Sequence, residues 1–152
     1  MKKLILITGI PSSGKTTLAN KLAPFWDITN VQQTDHVYDA IGEHLKIKNF
    51  SDPNVWRREN QEIVRAAKEK HYKKMLSTDD CSMLEGYGLM FFDDREIIKA
   101  IYPEYEKLYF FKDVRYGDWL RQKGVLDTLE RSVEYEYLRR IGSIHNKSII
   151  IL

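Results

Sequence analysis

Eight residues near the amino end, Gly9 to Thr16 in "GIPSSGKT", have the types and spacing to hold a chain of phosphates. Glycines at 9 and 14 let the main chain bend closely around an anion, so that several backbone N–H groups converge on it. Pro11, Ser12 and Ser13 form the tip of this loop, where the serine main chain counts for more than the hydroxyls. Lys15 is placed to reach the outer phosphates, and the Thr16 hydroxyl suits a divalent cation. Thr17 follows in the first turn of a helix whose amino end adds partial positive charge to the anion site.

Such a loop requires a buried strand before it and a helix after it. Leu4 to Ile7 is a continuous apolar run, as in a strand covered on both faces. Thr16 to Ala23 reads as a helix that Pro24 ends, because proline cannot continue the hydrogen-bond ladder. Further strands are expected at "ITNVQQTD", "CSMLEG", "KLYFFKD" and "SIIIL". The segments between them, "HVYDAIGEHLKI", "SDPNVWRRENQEIVRAAKEKHYKKML", "DDREIIKAIYP" and "VLDTLERSVEYEYLRRIG", read as helices. The second of these is the longest candidate, with Asp52 as cap, Pro53 in its first turn, and a stripe of Trp56, Ile63, Ala66, Ala67 and Met75. Strands alternating with helices predict an α/β domain, a three-layer P-loop fold of about five parallel strands flanked by helices, spanning residues 1–152.

Other residues gather round the loop on this topology. Asp35 follows the second strand and so stands at the carboxyl edge of the sheet, where it could take the proton from an attacking hydroxyl. The same position suits a helix cap by Thr34 or Asp35, and Asp39 lies one turn further on. Glu85 ends the third strand and could orient Mg²⁺ or hold a substrate hydroxyl, while Gly86-Tyr87-Gly88 allows close approach of a ligand. The polar connection "VRYGDWLRQKG", about residues 114–124, carries Arg115, Arg121 and Lys123 and could close as a lid, with Arg121 first placed to meet the transferred phosphoryl group.

The chain has 152 residues, 43% hydrophobic and 30% charged, and its net charge of +2 argues for no particular polyanionic partner. One cysteine, Cys81, excludes an internal disulfide and a multi-thiolate zinc site. No apolar run is long enough to span a bilayer, and the start lacks a signal-peptide cleavage pattern, so a soluble, cytoplasmic protein is expected. The four histidines show no ligand spacing. There is no Asn-Lys-x-Asp guanine reader or D-x-x-G switch, which argues against a GTPase and for ATP with Mg²⁺. Asn146, before the last strand, is a candidate base contact.

The opening "MKKLILITGIPSSGKTTLA" resembles phage polynucleotide kinases and their small P-loop relatives. "TDHVYD", the helix "NQEIVRAAKEKHYKKML" and "YFFKDVRYGDWLRQKG" extend the resemblance loosely over most of the chain. The resemblance implies an ATP-dependent kinase of a hydroxyl acceptor, with Lys15 and Thr16 on ATP and Mg²⁺, Asp35 as general base, and Arg115 and Arg121 in an arginine lid. The family's usual arginine shortly after the general base is missing, with Tyr38 and Asp39 in that neighbourhood, and the candidate substrate contacts are Asp35, Tyr38, Glu85 and Tyr87. "LEGYG" is closer to zeta-toxin-like kinases, which phosphorylate a nucleotide sugar. The acceptors expected are DNA or RNA, a hydroxymethylated base or a nucleotide-like molecule, with a kinase of a small metabolite or nucleotide sugar, or a non-catalytic ATP-gated binding module, as the alternatives. Basic residues Arg57, Arg58, Arg65, Lys68, Lys70, Lys73 and Lys74 could track a phosphate backbone, although Glu59, Glu62 and Glu69 are interleaved. Tyr87, Phe91 and Phe92 could stack on bases, with packing as the alternative.

Overall fold

The computed structural model describes residues 2–29, 31–45, 58–75, 81–145 and 148–151. Strand β1, Lys2–Thr8, is central and parallel to both neighbours, β3 at Cys81–Glu85 and β4 at Tyr105–Asp113. Strand β2, Val31–Gln33, lies outside β3, and the short β5, Ser148–Ile151, pairs with the carboxyl end of β4. The order is therefore β2-β3-β1-β4-β5 with every pairing parallel.

The apolar run in β1 has a direct physical reading. Leu4 and Leu6 face one core, with Val37, Ile41, Val64, Tyr72, Leu84 and Ile97. Ile5 and Ile7 face the other, with Leu18, Ala19 and Met83. All four β1 side chains are fully buried, each worth ~2 kcal/mol in apolar burial. Successive residues of a strand point to opposite faces, so a strand between two helical layers must be apolar throughout.

Helix α1 spans Lys15–Leu22, followed by a 3-10 turn over Ala23–Trp26 that carries Pro24. Helix α2 is Asp35–Leu45, α3 is Gln61–Met75 and α4 is Phe92–Ile101. The expected cap Asp52, Pro53 and Trp56 lie outside the described residues. Along α3 the buried set is Val64, Lys68 and Tyr72, whereas Ile63 is exposed. Of the expected stripe, Ala67 and Met75 pack against the core, whereas Ile63 and Ala66 face outward. The deciding residue is Lys68, which looked like surface charge. Its ammonium lies 2.8 Å from Asp94 on α4, and the Tyr72 hydroxyl donates to the other Asp94 oxygen at 2.5 Å. A lysine paired inside a helix interface cannot track a phosphate backbone.

The "VRYGDWLRQKG" segment is also more ordered in type than a polar connection. Residues Tyr116–Lys123 form helix α5, ended by Gly124 in the left-handed region at φ 70°. Helix α6, Leu129–His145, has 17 residues and exceeds the 15 described for α3. A third apolar cluster joins these helices to the carboxyl edge of the sheet through Ile10, Met90, Phe111, Val114, Trp119 and Tyr135. Leu89 and Met90 are core, but Phe92 is 58% exposed, so "LMFF" divides between packing and surface.

Candidate phosphate-binding and transfer site

The carboxyl ends of β1, β2, β3 and β4 converge where β1 runs into the loop of residues 9–14. Gly9 is required by close approach: a Cβ there would stand 2.5 Å from the Lys112 carbonyl oxygen, a backbone atom that cannot step aside. Ser12 sits at φ 63° and Gly14 at φ 89°. These left-handed residues curl the main chain so that neighbouring amides can share one concavity. Helix α1 begins immediately afterwards, directing its free N–H groups to the same place.

Lys15 is buried, and its ammonium donates to the Ile10 carbonyl at 3.2 Å, bridging the loop it belongs to. Burial holds its pKa below the ordinary lysine value, while the carboxylates of Asp35 and Glu85 pull it back up. Thr16, in the next position, donates its hydroxyl to Glu85 Oε1 at 3.1 Å. Glu85 is itself 2% exposed, and its second oxygen, Oε2, is buried without a hydrogen-bond partner. Desolvation pushes its carboxyl above the usual glutamate range, opposed by the Thr16 hydroxyl and the Lys15 charge. Two hard oxygen groups beside a phosphate loop, one with an unused acceptor, fit Mg²⁺. Among the described residues no group of three or more His, Cys, Asp or Glu could hold a metal. An ion here would therefore take part of its coordination from nucleotide phosphates and water.

Asp35 opens α2 at an exposed position. It is brought to Glu85 by two contacts: the Thr34 N–H donates to the Glu85 carbonyl at 2.8 Å, and Gly86 packs against Thr34 and Asp35. A Cβ at Gly86 would lie 1.9 Å from Thr34 Oγ1 and 3.2 Å from Asp35 Oδ1. The glycine of "LEGYG" is thus a matter of space between two strand ends. Tyr87 follows, half-buried, with its phenol pushed up to about 12 by burial and by the charges of Asp35, Asp94 and Asp39. Lys15, Thr16, Asp35, Glu85 and Tyr87 are therefore assembled on one edge.

Other expected residues lie elsewhere or outside view. The side chain of Tyr38 falls outside the described residues, as do Arg57, the side chain of Arg58, and Asn146. Arg115 caps α5 from an exposed position. Arg121 is also exposed, and it pairs with Asp118 on its own helix.

Two features escaped the sequence reading. Trp119, fully buried, donates its indole N–H to the Pro11 carbonyl at 2.8 Å, tying α5 to the phosphate loop across 108 residues. Lys112 is 8% exposed at the end of β4 and donates to the Asp113 carbonyl at 2.7 Å; its side chain lies beneath Gly14. Asp113 in turn is gripped by Arg139 of α6 at 2.6 to 3.0 Å. Only the excess of Trp and Tyr after β4 hinted at this cluster.

The family described as chromatin associated protein KTI12 matches residues 2–87, more than half of the chain, from β1 through the loop to Tyr87. The chain belongs to the KTI12 family. This member also resembles solved kinase structures. A shikimate kinase from Aquifex aeolicus is 16% identical with a TM-score of 0.60, over 97% of this chain and 85% of that one. A shikimate kinase from Acinetobacter baumannii, solved with shikimate, is 14% identical with a TM-score of 0.56, over 99% and 83%. A sugar kinase from Janibacter sp. is 13% identical with a TM-score of 0.57, over 100% and 85%. No curated protein matches. At these identities the structural likeness shows the fold, so this KTI12-family chain has a small P-loop kinase-like fold. The resemblance to phage polynucleotide kinases holds at that coarser level. No described helix is long and apolar enough to cross a membrane.

Proposed function

We propose that this chain is an ATP- and Mg²⁺-dependent phosphotransferase acting on a hydroxyl acceptor. The observation that carries the reading is the contact of Thr16 with Glu85, within electrostatic reach of Lys15 and Asp35. It supplies each part of phosphoryl transfer: a phosphate cradle, a cation, a place for Mg²⁺ and a carboxylate beside them. Mg²⁺ would be held by the Thr16 hydroxyl and by Glu85, and would screen the charge of the outer phosphates. Gly9, Pro11, Ser12, Ser13, Gly14 and Thr17 shape the nucleotide site. Asp35 accepts the acceptor's proton, and Tyr87 walls the acceptor side. Arg115 and Arg121 belong to the lid, residues 114–124, that closes on the nucleotide.

The acceptor class follows from two kinds of likeness. The shikimate and sugar kinases point to a small polyhydroxy compound, and the polynucleotide-kinase resemblance points to nucleic acid or a nucleotide. Removal of Lys68 from the exposed basic set of α3 weakens the second. The test is transfer of labelled γ-phosphate from ATP to sugars, shikimate, nucleosides, nucleotide sugars and 5′-hydroxyl DNA and RNA, with Asp35→Asn as control. Label on one class that disappears in the variant supports the reading. ATP binding with no labelled acceptor would defeat it.

One observation favours a second reading. The family is described by chromatin association rather than by a reaction. A nucleotide-gated binding module would bind and slowly hydrolyse ATP, and its partner affinity would change with nucleotide state.

A further inference from the structure

A phosphate loop can present its N–H groups inward only if its carbonyl groups face outward and find partners there. Two carbonyls of this loop are satisfied by side chains. Ile10 is served by Lys15, which belongs to the site itself. Pro11 is served by Trp119, which lies on α5. An indole has one donor and no acceptor, so its single hydrogen bond is committed to the loop. Trp119 is moreover the one buried residue of α5. Tyr116 and Tyr135 pack around it with ring centroids 6.1 and 5.5 Å away, and the Lys123 ammonium lies 4.9 Å from its ring. The helix that bears Arg121 and follows Arg115 is therefore anchored on the phosphate loop as well as on the apolar core.

We propose that Trp119 is a positioning residue for nucleotide binding: its indole holds the Pro11 carbonyl outward, presets the loop for phosphate, and links loop occupancy to α5. The proposal rests on the nucleotide reading given above. Its physical basis is strain in the loop, where Ser12, a residue with a side chain, occupies φ 63°. Such a turn persists only when its surroundings hold it, and Trp119 supplies a hold from outside the loop. Because the anchor and Arg121 share one short helix, which Arg115 precedes, any shift of the Pro11 carbonyl on phosphate binding moves the indole first.

The experiment uses the full chain and measures ADP affinity by calorimetry, thermal unfolding, and Trp119 fluorescence in a Trp26→Phe/Trp56→Phe background. Trp119→Phe keeps an aromatic ring but removes the donor. It is expected to weaken ADP binding about 5- to 10-fold, the loss of one hydrogen bond. Tyr135→Phe is the control within the same cluster, since it removes the hydroxyl that bonds to the Val114 carbonyl without touching the loop. It is expected to lower Tm while leaving ADP affinity within about 2-fold. ADP should also shift the Trp119 emission. Wild-type ADP affinity in Trp119→Phe, whatever its Tm, would overturn the proposal, as would equal losses of affinity in both variants. Failure of the unmodified chain to bind ADP would instead reject the nucleotide reading itself.

Discussion

Thr16 Oγ1 donates to Glu85 Oε1 at 3.1 Å, joining the first turn of α1 to the last residue of β3. Sixty-nine residues separate the two in sequence. Parallel pairing of β1 and β3, with Ile7 opposite Glu85, brings them to one edge. The contact leaves Glu85 buried with one oxygen unbonded, an arrangement that stability alone does not favour. That imbalance leads to the first prediction.

Glu85→Gln should separate stability from function. The carboxyl is raised above 4.5 in the folded state, chiefly by desolvation. A raised carboxyl pKa means that ionisation near neutral pH works against folding, and that the penalty fades as pH falls from the raised folded value to about 4.5. Glu85→Gln should therefore raise Tm at pH 7, with the gain vanishing at acid pH. The Mg²⁺ requirement for nucleotide binding should rise about 10- to 100-fold. Thermal scans across pH and Mg²⁺ titrations read both effects.

Lys15→Met makes the same point for a cation. Burial lowers the folded-state pKa of Lys15 below 10.5, so the charged form destabilises the fold at neutral pH. The penalty is relieved as pH rises from the folded value toward 10.5. Lys15→Met is expected to be at least as heat-stable as wild type at pH 7, yet to lose transfer by more than about 100-fold. A collapse in stability would mean that the bond to Ile10 outweighs burial.

Asp35→Asn should remove transfer while changing ADP affinity less than about 2-fold. The side chain is exposed at the head of α2, and on the proposed reading it acts at the acceptor and not in the phosphate loop. Single-turnover transfer compared with calorimetric binding tests this. Equal losses in both would reassign Asp35 to the nucleotide.

Gly86→Ala tests the joint between β2 and β3. The added methyl group would meet Thr34 Oγ1 at 1.9 Å, at a cost of about 1–3 kcal/mol from overpacking. Thr34 Oγ1 is buried without a partner, so Thr34→Ala alone should cost little. The double variant should recover much of the stability lost by Gly86→Ala. Denaturant unfolding of the three variants measures it.

Lys68→Met breaks the buried pair with Asp94 and removes the lysine charge from that carboxylate, at a cost of about 3–5 kcal/mol. Lys70→Met, on the exposed side of α3, should be nearly neutral. Chemical denaturation distinguishes the two. Similar behaviour would return Lys68 to the surface set.

Much of the site was legible because its signals are local. The spacing of Gly9, Gly14, Lys15 and Thr16 encodes a turn and a helix start within eight residues, and the run Leu4–Ile7 encodes a strand covered on both sides. The ends of β2 and β3 marked Asp35 and Glu85, because strand ends in a parallel α/β sheet share one edge. What was misread depends on partners far along the chain. Lys68 could be told from Lys70 only by knowing that Asp94 of α4 faces it. Phase on an amphipathic helix is ambiguous when a charged residue belongs to the buried stripe.

The sequence by itself determined a strand–loop–helix unit of the P-loop type within an alternating α/β order, since backbone curvature and hydrophobic period act over short distances. Only the tertiary structure decided that Glu85 closes on Thr16, that Gly86 leaves room for Asp35, and that Trp119 grips Pro11. Those contacts span 51 to 108 residues, and no local preference specifies them. They exist because burial of two apolar layers sets the parallel order of the strands, and the strand ends carry the polar groups to one place.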